Sequence, residues 1–131
     1  MDTPPTALTR LSENELLFRD TVRQFAVDQI QPHVREMDEQ GEFRPQLTRQ
    51  LFELGLMGIQ VPEQYGGQEG SFFMAVLAVE ALATVDPSAA VIVDVQNTLF
   101  NNALLRWGTD DQKQRWLSRA CRDTIGAYAL S

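Results

Sequence analysis

Apolar residues recur at helical spacing along most of this chain, and the breaks between the runs carry helix caps and stops. Ser12 followed by Glu15 forms a capping-box pattern, with Leu11 and Leu16 at the positions of a hydrophobic staple. Beyond it, Phe18, Val22, Phe25, Ala26 and Ile30 form one stripe that only Gln29 interrupts. Pro32 removes a donor and clashes with the preceding turn, so this helix should end or kink near Ile30 or Gln31. A short second helix follows through Met37 and breaks at Gly41. Pro45 suits the first turn of a third helix, whose stripe is Leu47, Leu51 and Leu54 and whose stop is Gly55. Leu56–Gly70, LMGIQVPEQYGGQEG, reads as an ordered loop anchored by Leu56, Met57, Ile59 and Val61.

The fourth helix is expected from about Ser71 to Thr84. Phe72, Phe73, Val76, Leu77, Val79, Leu82 and Ala83 cover more than one of its faces, which predicts a buried helix. Asp86-Pro87 caps and opens a fifth, which runs to Trp107 and stops at Gly108. Its first half, PSAAVIVDVQ, is β-branched and taken alone would favour a strand, but length and the Asp-Pro start favour helix. Thr109 and Gln112 form a second capping box for a sixth helix with Trp116 and Leu117 on its buried side. Ile125–Ser131 is short and apolar and looks like the beginning of a strand. The polar start, MDTPPTALTR, reads as a frayed leader. The expectation is an all-α domain of about six helices, an orthogonal or up-down bundle ending in one short strand. A lone strand cannot satisfy its backbone, so the chain is expected to be cut from something longer.

Composition narrows the classes without supplying chemistry. The chain has 131 residues, 44% hydrophobic and 22% charged, which suits one globular domain. Its net charge of -7 argues against binding a phosphate backbone. One cysteine, Cys121, cannot form an internal disulfide. The longest apolar run, Ala89–Val93, stops at Asp94 and is far too short to cross a bilayer. No signal peptide or transit peptide is visible, so a bacterial cytoplasm is expected ahead of a mitochondrial matrix.

Candidate chemistry is sparse. His33, the single histidine, has no triad partner or second ligand in view and reads as structural or surface-borne. Cys121 sits between Arg119 and Arg122, whose charge could activate a thiol, but no base lies beside it in sequence. No spacing of Cys, His, Asp or Glu suggests a metal site. YGGQEG lacks the pattern of a phosphate loop and is better read as a shaped turn. Trp107 and Trp116 are expected as core anchors.

Four segments in order resemble the N-terminal helical domain of the acyl-CoA dehydrogenase family, over roughly Ser12 to Ser131. They are FAVDQIQPHVREMDEQGEF (Phe25–Phe43), LFELGLMGIQVPEQYGG (Leu51–Gly67), VEALATVDPSAAVIVDVQNTLFNNALLRWGTDDQKQRWL (ending at Leu117) and IGAYALS (Ile125–Ser131). The QNTL at Gln96–Leu99 looks most like the short/branched-chain members. The resemblance implies residues 1–11 as a flexible leader, 12–124 as the helical domain and 125–131 as the start of a middle β domain.

It also implies an FAD-dependent oxidoreductase that dehydrogenates a short or branched acyl-CoA. Its partners would be acyl-CoA, an electron-transferring flavoprotein and further copies of itself in a tetramer. The family's catalytic glutamate lies in a C-terminal domain, so no catalytic residue is expected here and this segment alone should be inactive. By position, Tyr128, Leu130 and Ser131 match the strand that faces the flavin, Tyr128 also lying near the acyl chain. Val91, Ile92, Val95 and Leu99 match the helix lining the acyl tunnel. The spacing 91, 95, 99 is one helix face, and all four are apolar, but core packing reads the same pattern equally well. Two other readings remain open: the same fold in an acyl-CoA oxidase, nitroalkane oxidase or flavin monooxygenase, and a free-standing helical interaction module.

Overall fold

A computed structural model describes residues 7–130. The first helix, α1 (Glu13–Phe25), starts at the expected capping box: the Ser12 hydroxyl accepts from the Glu15 N–H at 3.2 Å, and the Glu15 carboxylate accepts from the Ser12 N–H at 2.8 Å. Pro32 kinks the helix without ending it. A π turn (Ala26–Ile30) and a 3-10 turn (Gln31–His33) carry the chain past the missing donor into α2 (Val34–Gln40). Gly41 and Gly55 are the stops that the pattern predicts, with φ of +66° and +74°.

Arg44 precedes α3 (Pro45–Glu53) and reaches back to the Glu36 carboxylate, tying α3 to α2. That hydrogen bond and charge hold the Glu36 carboxyl below its usual range. Residues 56–70 form the expected ordered loop. Leu56, Met57, Ile59 and Val61 are all buried, and the chain folds back so that Gly70 N–H donates to Ile59 C=O at 2.7 Å and Glu69 N–H to Val61 C=O at 3.0 Å. Gly67 lies so close to this turn that a Cβ there would meet the Val61 carbonyl oxygen at 2.0 Å.

Helix α4 (Phe72–Ala83), capped by Ser71, packs between α1 and α5 (Pro87–Asp94). The face it buries is built mainly of small residues, Ala75, Ala78 and Ala81 beside Leu77 and Leu82, and α5 answers with Ala89 and Ala90. Alanine on both sides lets the helices approach closely. The other side of α4 is not buried: Phe72 is 59% exposed and Val76 42%. Its apolar residues cover more than one face, but the side that carries Phe72, Val76 and Glu80 lies outside the contacts with α1 and α5.

Asp86 caps α5 through hydrogen bonds from the Ser88 and Ala89 N–H groups, with Pro87 in the first turn. The predicted fifth helix reaches Trp107, but it is interrupted. A π-helical segment, Val95–Asn101, separates α5 from α6 (Asn102–Trp107). Thr109 and Gln112 then close the second capping box and open α7 (Asp110–Arg122).

Two residues expected in the core stand elsewhere. Trp107 is 82% exposed: the last turn of α6 turns Leu104 and Leu105 toward Val61 and Leu117 and leaves Trp107 outward. Trp116 is half-buried, with the guanidinium groups of Arg115 and Arg119 over its ring at 5.1 and 5.3 Å. Leu117 does sit inside, in a small cluster with Val61 and Cys121. Ile125–Leu130, expected to begin a strand, forms none among the described residues, since a strand is defined by a partner. The fold is therefore all-α as expected. No helix among the described residues is long and apolar enough to cross a membrane.

Candidate functional site

Of the four residues that the resemblance placed on an acyl wall, Val91, Val95 and Leu99 lie along the outer side of α5 and its π-helical continuation. Val91 is 58% exposed and Leu99 37%, while Val95 is half-buried between them. Ile92 turns inward and packs on the main core. Plain core packing therefore does not account for Val91 or Leu99. They form an apolar ridge that the domain leaves uncovered.

A groove of about 280 Å³ runs beside this ridge, between Phe72, Val76, Val79 and Glu80 of α4 and Asp94 and Thr98 on the facing helix. The Thr98 hydroxyl donates to the Asp94 carboxylate at 3.0 Å and to its main-chain carbonyl at 2.8 Å. The groove is thus apolar along Phe72, Val76 and Val79, with Asp94 and Thr98 on its facing edge and Glu80 at the end of the α4 side.

Tyr128 and Leu130 are 54% and 76% exposed. Among the described residues, the main-chain N–H and C=O groups from Ala127 to Leu130 form no hydrogen bond. Ser131, the third residue assigned to the flavin side, lies outside the described residues.

What the sequence reading missed is the row of carboxamides on the opposite side of the same segment. Gln96, Asn97 and Asn101 are each 1–2% exposed. The π turn makes this possible, because residues five apart, such as Gln96 and Asn101, come into register. Asn97 Oδ1 accepts from the Ile59 N–H at 2.9 Å, and its Nδ2 donates to the Leu56 and Val93 carbonyls at 2.8 Å each. Asn101 Nδ2 donates to Met57 C=O at 2.8 Å. Gln96 faces the other way along the chain and holds Ala120, Thr124 and Gly126. The available signal was the cluster of carboxamides at Gln96, Asn97, Asn101 and Asn102, a side-chain type costly to bury unless its partners are supplied.

His33 is half-buried in the 3-10 turn at the kink. Cys121 is buried, and burial raises its thiol pKa to about 11, overriding the neighbouring arginines. Among the described residues no group of His, Cys, Asp or Glu is arranged to hold a metal. YGGQEG is the shaped turn expected of it.

Comparison with known proteins puts these features in context. Residues 12–124 match the family described as acyl-CoA dehydrogenase, N-terminal domain. A probable short/branched chain specific acyl-CoA dehydrogenase of Dictyostelium discoideum is 44% identical over 124 residues, covering 95% of this chain and 30% of its own. The mitochondrial short/branched chain specific acyl-CoA dehydrogenase of Bos taurus is 37% identical over 98% of this chain and 30% of its own. Among solved structures, a glutaryl-CoA dehydrogenase from Mycobacterium smegmatis in complex with FADH2 superposes with a TM-score of 0.79 at 28% identity, over 85% of this chain and 28% of its own. The chain thus spans about 30% of the length of the curated relatives it matches.

Proposed function

The chain belongs to the acyl-CoA dehydrogenase family, as its N-terminal domain, and from that premise we propose that it forms a helical wall of a flavin and acyl-CoA site in an enzyme that dehydrogenates short or branched acyl-CoA thioesters. The observation that carries the reading is the uncovered ridge of Val91, Val95 and Leu99 on a domain whose relatives include two short/branched chain enzymes. An alkyl group is bound by apolar surface withdrawn from water, and this ridge supplies such a surface without polar interruption.

In this reading residues 12–124 are the helical domain. Val91, Val95 and Leu99, with Ile92 behind them, bound the alkyl end of the substrate. Tyr128 stands at the nearer end, and Tyr128, Leu130 and Ser131 face the flavin. The main-chain groups of Ala127–Leu130, unpaired among the described residues, fit a ring with a polar edge, which needs free donors and acceptors. The bound flavin supplies acceptance of the hydride that leaves the substrate. In this reading the residues of this chain orient the substrate and exclude water from it. An electron-transferring flavoprotein would reoxidise the enzyme, and a tetramer would be its working form.

The full-length enzyme is expected to purify with stoichiometric flavin, to bleach on adding a short or branched acyl-CoA, and to pass electrons to an electron-transferring flavoprotein. Rapid reoxidation by oxygen alone would instead make it an oxidase. Replacing Val95→Ala and Leu99→Ala together should shift preference toward longer acyl chains. An unchanged chain-length profile would remove these residues from the substrate site.

A further inference from the structure

Gln96 commits its whole carboxamide to main chain 24 to 30 residues further along. Its Nε2 donates to Ala120 C=O at 2.8 Å and to Thr124 C=O at 3.0 Å, and its Oε1 accepts from the Gly126 N–H at 2.8 Å. The side chain is 1% exposed. An uncharged side chain that donates twice and accepts at the same point must be a carboxamide. Leucine would leave two carbonyls and one N–H without partners, and glutamate would set a carboxylate against two carbonyl oxygens.

Phe100 completes the grip from the same π segment. A Cβ on Gly126 would meet its ring at 2.0 Å, so Gly126 lies flat against the ring while Gln96 holds its N–H. Tyr128 follows two residues later, at a reach of about 7 Å. Val95, next to Gln96, and Leu99, next to Phe100, stand on the outer side of the same segment. One element thus carries the ridge of Val95 and Leu99 on one side and holds the root of Tyr128–Leu130 on the other.

We propose that Gln96 is a positioning residue: by clamping Thr124–Gly126 onto the π segment, it sets where the Tyr128–Leu130 main chain meets the flavin relative to the acyl ridge at Val95 and Leu99. The inference rests on the flavin and acyl-CoA reading above and adds to it a residue that touches neither group. Asn97, its neighbour, supplies the comparison, because it clamps only the Leu56–Ile59 turn and its own helix.

The test uses the flavin-loaded full-length enzyme with Gln96→Leu, Gln96→Glu and Asn97→Ala. The readouts are flavin content, visible circular dichroism of the flavin, its midpoint potential, kcat, KM and Tm. Gln96→Leu is expected to shift the flavin dichroism and the potential and to lower kcat by on the order of 100-fold with KM little changed, the cost of a reacting pair misplaced by about 1 Å. Asn97→Ala is expected to lower Tm with the flavin dichroism and potential unmoved. Gln96→Glu covers the case in which the leucine variant does not fold. Its neutral acid can again donate to a carbonyl, so the flavin dichroism should return toward wild type as pH falls.

Should Gln96→Leu lower Tm as Asn97→Ala does and leave the dichroism and potential where they were, Gln96 is structural and the proposal is overturned. A wild-type enzyme without flavin would overturn the underlying site reading instead. The two failures are therefore told apart in the wild-type spectrum.

Discussion

Cys121 illustrates how burial outweighs sequence neighbours. Arg119 and Arg122 flank it in the chain, yet desolvation pushes its thiol from 9.0 to about 11. The sulfur sits so close to Gly58 that a Cβ there would meet it at 2.5 Å. Because the folded value lies above the unfolded one, the unfolded chain gives up the proton first. The contribution of Cys121 to stability should be whole below pH 9.0 and should be lost as pH rises from there to about 11. Urea midpoints should fall over that window in the wild type and less so in Cys121→Ser. The native thiol should also react with an aromatic disulfide far more slowly at neutral pH than the urea-unfolded one. Gly126 gives a second test at this scale. A Cβ there meets the Phe100 ring at 2.0 Å, so Gly126→Ala should cost about 1–3 kcal/mol in urea denaturation. Adding Phe100→Leu should recover part of that loss, and an absence of coupling between the two changes would contradict the packing. Neither close contact is legible in sequence, because each joins residues far apart along the chain.

At the scale of elements, what is local was readable and what is tertiary was not. The caps at Ser12, Asp86 and Thr109 need only a partner two or three residues on, and each is where the pattern put it. The π segment at Val95–Asn101 has no such local code. It is associated with amides whose partners, Leu56, Met57 and Ile59, arrive from a loop about 40 residues earlier. An α-helical ruler carried through 91, 95 and 99 found the outward ridge but gave no hint of the inward clamp. The two kinds of feature should differ in energy. Ser12→Ala and Thr109→Ala should each cost about 1 kcal/mol, the usual value of an exposed cap. Asn97→Ala strands one buried N–H and two carbonyls and should cost about 3 kcal/mol. Chemical denaturation of the three variants side by side would contradict this ranking if the cap variants proved as damaging as Asn97→Ala.

For the whole molecule, the all-α class and the segment order could be read from sequence, whereas the surface could not. Apolar residues on more than one face of α4 read as burial, yet the fold covers the side of Ala75, Ala78 and Leu82 and leaves Phe72 and Val76 on the wall of the groove beside Glu80. The same ambiguity put Trp107 in the core when it stands 82% exposed. A periodicity says which residues share a face; only the neighbouring elements say whether that face is covered. The exposed wall has a measurable consequence. An open apolar groove should bind a hydrophobic dye and promote association, and both effects should grow with sulfate, which strengthens apolar burial. Replacing Phe72→Ser and Val76→Ser should lower dye fluorescence and the concentration dependence of light scattering. Stability should stay within about 0.5 kcal/mol per site, because neither side chain is buried in the core. A large fall in Tm would mean that this side of α4 does pack within the domain. Unchanged dye binding would mean that the apolar surface in play lies elsewhere, with the ridge at Val91 and Leu99 the next to be replaced.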